Sequence, residues 1–433
     1  MRFDHLDAWL DWQATLNPVE IDLGLERIAE VLQRMGLANQ FECPLIIVAG
    51  TNGKGSVVSL LQSMAAAAGL KVCCYTSPHI IRYNERIRIN GESIDDASLC
   101  SAFERIDRAR GEVALTYFEF GTLAAIDLFM QARPDLVIME IGLGGRLDAV
   151  NIMEPDVSVI TSIAIDHTDW LGDNREDIGR EKAGIMRAHK PVICGDPEPP
   201  ESLRTTAAQK SAEFFQLGQH YKVESVSAES WSLASPFADL QNLPPPALHG
   251  EFQKGNAATA IMALQALGSK LAISQDHIRQ GLLNARLQGR FEQLHDQPQV
   301  VVDVAHNPHA VTSLVAQLRS QAVKGSTRVV LAMLADKPVD EVISILSPIV
   351  DHWYSAGLDA EPRGLSAQKM ADKIAQHLKQ NERLAQAPVD VKLCAELTVQ
   401  AAIEAAMRDA QPEDRIIILG SFYTVAAATR YFS

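Results

Sequence analysis

The stretch LIIVAGTNGKGSVVSLLQSM, residues 45–64, runs from an apolar segment through a glycine-rich turn into an apolar helical pattern. Residues 45–48 have the length and composition of a buried strand. Gly50, Gly53 and Gly55 let the backbone N–H groups of the turn approach an anion with no Cβ in the way. From Ser56 onward, the spacing of Val57, Leu60, Leu61 and Met64 predicts a helix. The N-terminus of that helix would aim unpaired N–H groups and a partial positive charge at the same anion. Lys54 is placed to neutralise the β- and γ-phosphates of a nucleotide, and the Ser56 hydroxyl to ligate Mg²⁺. The match to G-x-x-x-x-G-K-[ST] is imperfect, because Val48 stands where the first glycine belongs and Gly55 separates Lys54 from Ser56. An ordinary glycine-rich turn is the alternative. The strand before the turn and the helix after it favour a phosphate loop.

Outward from that loop, short strands rich in Val and Ile alternate with helical patterns. Residues 71–76, 136–141, 157–162 and 191–194 read as strands, and residues 117–130 as a helix. The fold class is therefore α/β, with a mostly parallel sheet of the P-loop ATPase type covered by helices on both faces. Residues 225–248, with Pro236, Pro244, Pro245 and Pro246, read as irregular or hairpin structure at the margin of this domain. A helix at 256–267 follows. A second, smaller Rossmann-like α/β series then begins at Val300, with strands at 300–306, 328–334, 352–357, 390–394 and 415–421. Two domains are expected, 1–290 and 298–433, because 433 residues exceed one ordinary core.

Composition narrows the class. The chain is 47% hydrophobic and 21% charged, as globular proteins are. No apolar run reaches about 18 residues, so no membrane-spanning helix is expected. Residues 1–12 carry Asp4, Asp7 and Asp11 and lack the basic-then-apolar layout of a signal peptide. Cys43, Cys73, Cys74, Cys100, Cys194 and Cys394 show no C-x-x-C spacing and read as reduced core residues. A net charge of −15 argues against a nucleic-acid partner but leaves room for a local basic pocket. The expectation is a cytoplasmic monomer with no membrane partner.

Ligands of such sheets gather at the carboxyl ends of the strands. Strand 136–141 leads into EIGLGGRLDAVN, which puts Glu140 beside three glycines. Strand 157–162 leads into IAIDHTDWLG, with Asp166, His167 and Asp169, and REKAG brings Lys182. In the second domain the first strand ends in DVAHNPHA, with Asp303, His306 and Asn307, and Pro308 is expected to end the strand. Arg290, in LQGRFEQ, falls at the expected hinge. Each has a plainer reading alone: a capped or salt-bridged Glu140, a satisfied loop histidine, a solvated lysine, a structural arginine.

Together the motifs resemble the folylpolyglutamate synthase/dihydrofolate synthase family, a branch of the Mur ligase superfamily. The matching pieces are GTNGKGS (50–56), TSPHI (76–80), YNERI (83–87), TYFEFGT (116–122), EIGLGGRLDAVN (140–151), DHTDWLG (166–172), REKAG (180–184), GR (289–290) and DVAHNP (303–308). They occur in family order along nearly the whole chain. Val150 departs from the family, which has Thr there.

The resemblance implies an ATP-dependent amide ligase. ATP phosphorylates a pteroate or folate carboxylate, and the amine of L-glutamate displaces phosphate. It implies that Gly53, Lys54, Gly55, Ser56, Asn256, Arg290 and Asp303 contact the nucleotide, with Lys54, Lys182 and His306 in the catalytic set. It implies that Ser56 and Glu140 ligate one Mg²⁺ and His167 a second, with a monovalent cation such as K⁺ as a further cofactor. Lys182 would be carried as its carbamate, His306 would lie near the attacking glutamate, and Thr116, Tyr117, Phe118 and Glu119 with Leu147, Asp148 and Ala149 would bind the pterin.

TYFEFGT and the intact RLDA further resemble the bifunctional bacterial members, which use dihydropteroate as well as folates. Thr116 and Glu119 also have the spacing of a helix capping box, and the two roles can coexist. A monofunctional folylpolyglutamate synthase is the alternative. Another Mur-type amino-acid ligase is disfavoured, because the 49 residues before Gly50 are too few for the UDP-binding domain of those enzymes. A nucleotide switch without ligase activity would have no use for His306, Arg290 and Lys182 together.

Overall fold

A computed structural model of the chain describes residues 2–17, 21–227, 229–361, 363–385 and 392–433. It divides into two compact units. The first comprises Met1–Leu248 and Gln253–Arg286, and the second His249–Phe252 and Leu287–Ser433.

The first unit is built on an eight-stranded sheet. Its strands are β1 (Leu45–Ala49), β2 (Val72–Tyr75), β3 (Ile87–Ile89), β4 (Glu92–Ser93), β5 (Leu136–Glu140), β6 (Val157–Ile160), β7 (Pro191–Cys194) and β8 (Glu213–Gln216). They lie in the order β4-β3-β2-β5-β1-β6-β7-β8. All pairs are parallel except β2–β3 and β3–β4. A parallel strand covered by helices on both faces must be apolar throughout. That is why β1, β2, β5 and β6 are buried at every residue. The β3–β4 hairpin carries no apolar run and was not legible in the sequence, nor was β8.

The helix Lys54–Ala67 follows β1 and starts two residues earlier than its apolar spacing suggests. Ser56–Leu61 are all buried, because the helix Gln275–Asn284 packs on its outer side. Ser63 donates there to the Gly281 carbonyl at 2.8 Å. Three further strands, β9 (Lys222–Ser225), β10 (Trp231–Ala234) and β11 (Leu240–Leu243), form an antiparallel sheet. The prolines fall outside these strands, and the Pro244 carbonyl accepts from Trp231 Nε1 at 2.8 Å.

The second unit holds a six-stranded sheet in the order β12-β13-β17-β14-β15-β16. These are β12 (Glu292–His295), β13 (Gln299–Asp303), β14 (Thr327–Leu331), β15 (His352–Ala356), β16 (Lys392–Glu396) and β17 (Arg415–Leu419). All neighbours are parallel except β12–β13. Asp390 and Val391, read as the start of a strand, lie outside the described residues. The β12–β13 hairpin draws Gly289, Arg290 and Phe291 into this unit. Pro308 does not end a strand directly: β13 stops at Asp303, and Pro308 is the first residue of the helix Pro308–Ser320, capped by the Asn307 side chain.

The cysteines are free; Cys73, Cys74, Cys100 and Cys194 are buried, Cys43 and Cys394 partly so. Burial pushes the Cys73 thiol up to about 12, so it stays protonated and inert. Among the described residues no helix is long and apolar enough to cross a membrane.

Candidate active site

The phosphate loop is laced to the end of β6. Thr51 N donates to the Ser162 carbonyl at 2.8 Å, and Thr51 Oγ1 to the Ala164 carbonyl at 3.0 Å. The Asn52 carbonyl accepts from Thr161 Oγ1 at 2.7 Å and from Ser162 Oγ at 3.1 Å. Two glycines make this fit possible. Gly50 has φ 147° and lies where a Cβ would collide with the Thr161 hydroxyl. Gly53 has φ 91°, and a Cβ there would stand 2.9 Å from Asn256 Oδ1. Asn256 therefore sits directly on the loop.

Lys54 Nζ donates to the carbonyls of Gly50 at 3.0 Å and Thr51 at 3.4 Å, so its ammonium closes over the loop. Gly55 and Ser56 occupy the first turn of the helix that follows. Ser56 is buried, and its hydroxyl accepts from Gln253 Nε2 at 3.2 Å. Gln253 carried no signal of its own in the sequence, since its partner lies 197 residues away.

Glu140 ends β5, next to β1, and is buried. One of its oxygens accepts from Ser77 N at 3.3 Å, which ties the TSPHI loop to this carboxylate. The Ser56 hydroxyl in the first turn after the phosphate loop and the Glu140 carboxylate at the end of the neighbouring strand are both oxygen donors, the type suited to a hard divalent cation such as Mg²⁺ or Mn²⁺. Among the described residues no three His, Cys, Asp or Glu side chains converge as a metal cage. His167 follows β6 in a left-handed conformation, φ 52°, with its N–H donated to Asp166 Oδ1 at 2.8 Å.

The GLGGRLDA turn packs on REKAG. Arg146 N donates to the Glu181 carbonyl at 2.8 Å, and a Cβ on Gly184 would collide with Arg146. This contact brings Lys182 into the site. Lys182 is 4% exposed, and burial, followed by the nearby Lys54 ammonium, pulls its pKa down to about 7 against the opposing pull of Asp166 and Asp148. A lysine half neutral near pH 7 is a nucleophile, able to add CO₂.

Asp148 is buried too, with Oδ2 accepting from Leu143 N at 2.9 Å and Oδ1 from Val150 N at 3.0 Å. Burial lifts its pKa to about 6 despite those bonds and the Lys54 charge. It shapes the turn, leaving only its remaining lone pairs for a ligand. Glu119 is similar: it completes the capping box with Thr116 (2.7 and 3.2 Å) and faces Arg27 Nη2 at 3.3 Å. Burial raises its pKa against the effects of Thr116 and Arg27. Thr116 and Ala149 are buried, whereas Tyr117, Phe118 and Leu147 keep accessible faces. The tip of the Phe118 ring lies so close to Gly142 that a Cβ there would stand 2.7 Å from its Cζ.

In the second unit Asp303 is partly buried at the end of β13. Its oxygens accept from Ala305 N at 2.8 Å and Phe291 N at 2.9 Å. Burial raises its pKa against the pull of the neighbouring Arg290 and His306. The Arg290 guanidinium lies 5.4 Å from the Phe422 ring. His306 Nδ1 is 2.7 Å from the Val304 carbonyl; with the proton on Nδ1, Nε2 is the acceptor nitrogen. Asp303, Arg290 and His306 thus form one group at the carboxyl end of β13.

Two family profiles match the chain. The "Mur ligase middle domain" covers residues 48–264, and the "Mur ligase, glutamate ligase domain" residues 289–422. The "Dihydrofolate synthase/folylpolyglutamate synthase" of Escherichia coli is 43% identical over 97% of this chain and 94% of its own. The chain belongs to the dihydrofolate synthase/folylpolyglutamate synthase family. It is an ATP-dependent ligase of that family, as the motifs implied. A solved Escherichia coli FolC "in complex with DHPP and ADP" superposes with a TM-score of 0.90 at 42% identity, covering 99% of this chain and 97% of the other. A solved bifunctional folylpolyglutamate synthase/dihydrofolate synthase "with Mn, AMPPNP and L-Glutamate bound" gives 0.87 at 42% identity, covering 99% and 98%.

Proposed function

We propose that this chain joins L-glutamate to dihydropteroate, giving dihydrofolate, and to folates, extending their glutamyl tail. In both reactions a carboxylate is activated as an acyl phosphate. A carboxylate is a poor electrophile, and the phosphoryl group of ATP supplies its leaving group. The observation that supports this reading best is the build of the phosphate loop, where Lys54 Nζ closes over the Gly50 and Thr51 carbonyls and the buried Glu140 ends the neighbouring strand β5.

Lys54 and the helix N-terminus hold the transferring phosphoryl group and stabilise the charge that builds on it. Ser56 and Glu140 would hold Mg²⁺, which would draw charge from the same oxygens, with His167 on a second ion. Lys182 as its carbamate would replace a buried cation by an anionic oxygen ligand beside metal. Asn256, Arg290 and Asp303 bind the nucleotide. His306 orients or deprotonates the glutamate amine through Nε2. Phe118 offers the pterin a stacking face, with Thr116, Tyr117, Glu119, Leu147, Asp148 and Ala149 around it.

The natural metal is Mg²⁺, K⁺ is a further cofactor, and the enzyme works as a cytoplasmic monomer without nucleic-acid or membrane partners. Phosphate release from ATP tests the reaction class. Release that requires both a pteroate or folate acceptor and L-glutamate is the expected result, and release indifferent to glutamate would overturn the reading.

A further inference from the structure

Beyond the groups already placed, the loop after β2 carries an arginine that has no carboxylate partner among the described residues. Arg86 is half-buried, and its Nε donates to His79 Nδ1 at 2.9 Å. Its guanidinium carbon lies 5.1 Å from the Tyr83 ring centroid and 5.6 Å from that of Tyr117. It also acts on the Tyr75 hydroxyl. Stacked rings and a fixed hydrogen bond leave a guanidinium little freedom, so the two terminal nitrogens point in set directions.

The acids nearest in sequence are committed elsewhere. Glu85 accepts from the backbone N–H groups of Ile80, Ile81 and Arg82 at 2.7 to 2.9 Å. Asp96 bonds Arg82 and Asn84. Among the described residues no carboxylate pairs with Arg86. Tyr83 is 4% exposed, yet its hydroxyl is buried without a partner. It lies over Gly121, where any Cβ would collide with it. An unneutralised arginine beside an unsatisfied buried hydroxyl is costly unless a ligand completes it.

The position indicates which ligand. This loop starts at Ser77, whose N–H meets the Glu140 carboxylate, the group proposed to hold metal at the reacting end of the acceptor. A folate acceptor carries two carboxylates on its terminal glutamyl residue, the reacting one and an α-carboxylate three carbon atoms away. Dihydropteroate carries only the reacting one. We propose that Arg86, held by Tyr83, Tyr117 and His79, binds the α-carboxylate of glutamyl-bearing acceptors and sets how well this enzyme uses folates relative to dihydropteroate. This rests on the proposed acceptors. It makes Arg86 a specificity residue for tail extension rather than for the first glutamylation.

The test compares three acceptors: dihydropteroate, tetrahydrofolate, and tetrahydrofolate with its α-carboxylate converted to the amide. The wild-type protein is expected to prefer the acid over the amide by about 10-fold or more, the scale of a charge-assisted bidentate contact. In Arg86→Gln the ratio of kcat/KM for tetrahydrofolate to that for dihydropteroate should fall about 30-fold, mainly through KM, and the acid should lose its advantage over the amide. Arg86→Lys should recover part of both. An unchanged ratio in Arg86→Gln, or equal use of acid and amide by the wild type, would overturn the proposal. The wild-type comparison stands even if the variant does not fold. A wild-type protein that glutamylates neither dihydropteroate nor tetrahydrofolate would instead remove the underlying reading.

Discussion

Gly145 lies against Lys182 so closely that a Cβ on it would stand 3.1 Å from the Lys182 Cα and 2.9 Å from the Glu181 carbonyl oxygen. The glycines of the GLGG turn thus let a second backbone seat a buried lysine. Gly145→Ala should push the Lys182 helix end away. Such overpacking costs about 1–3 kcal/mol. The expected outcome is a Tm a few degrees lower, with turnover reduced at least about 10-fold, because positioning errors cost more in rate than in stability. Thermal unfolding and steady-state turnover of the same preparation check this.

Lys54→Ala should retain the fold and lose turnover by at least about 1000-fold, the scale of removing a main charge-stabilising group. Ser56→Ala should raise the Mg²⁺ concentration needed for half-maximal rate. A metal titration of both variants reads this directly, and near-normal turnover in Lys54→Ala would contradict the role of the loop.

Lys182→Ala should be nearly inactive, with partial rescue by small carboxylic acids or bicarbonate that replace the carbamate oxygen. The lysine must be neutral to add CO₂. Its pKa, lowered to about 7, makes half the amine reactive there. At fixed CO₂, the rate of carbamate formation should rise about tenfold per pH unit below about 7 and level off above it. Carbon-13 labelled CO₂ with NMR detection follows the adduct. A pH-independent rate between 5 and 9, or no adduct at all, would count against it.

How much of this was legible beforehand depends on the range of each interaction. Apolar runs announced β1, β5, β6 and β17 because a strand buried on both faces is mostly apolar. β3, β4, β8 and β12 are short edge-side strands of mixed composition, held by pairing rather than by pattern. The phosphate loop was readable because its glycines, Lys54 and Ser56 sit within one turn of chain. Gln253 on Ser56, Ser77 on Glu140 and Arg27 on Glu119 were not readable. Each joins segments far apart in sequence, and no local spacing encodes such a meeting. The capping box of Thr116 and Glu119 was foreseen from their spacing, but the enclosure of Asp148 was not. Its bond from Leu143 N arises from the way the GLGG turn folds back, and its bond from Val150 N caps the short helix Ala149–Ile152.

Stability in acid should depend on Asp414. Its carboxylate bonds Arg328 Nε at 2.9 Å and accepts from Ser326 N and Gln411 N at 2.7 and 2.9 Å. Burial alone would raise its pKa, but these bonds outweigh burial and hold it below the ordinary aspartate range. The ionised form therefore favours the fold. This contribution is complete above the unfolded value of about 4 and fades as pH falls through the lower folded value. Asp414→Asn leaves Arg328 buried without its counter-charge and should destabilise by about 3 kcal/mol at neutral pH. The gap to the wild type should narrow in acid, which denaturant unfolding at several pH values measures.

The most direct measurement is the mass of the products. Purified protein is given ATP, Mg²⁺ and L-glutamate with either dihydropteroate or tetrahydrofolate. The account predicts that each acceptor gains one glutamyl residue per phosphate released, dihydropteroate becoming dihydrofolate and tetrahydrofolate its diglutamate. Glutamylation of tetrahydrofolate with no product from dihydropteroate would contradict the dual activity and leave a monofunctional folylpolyglutamate synthase.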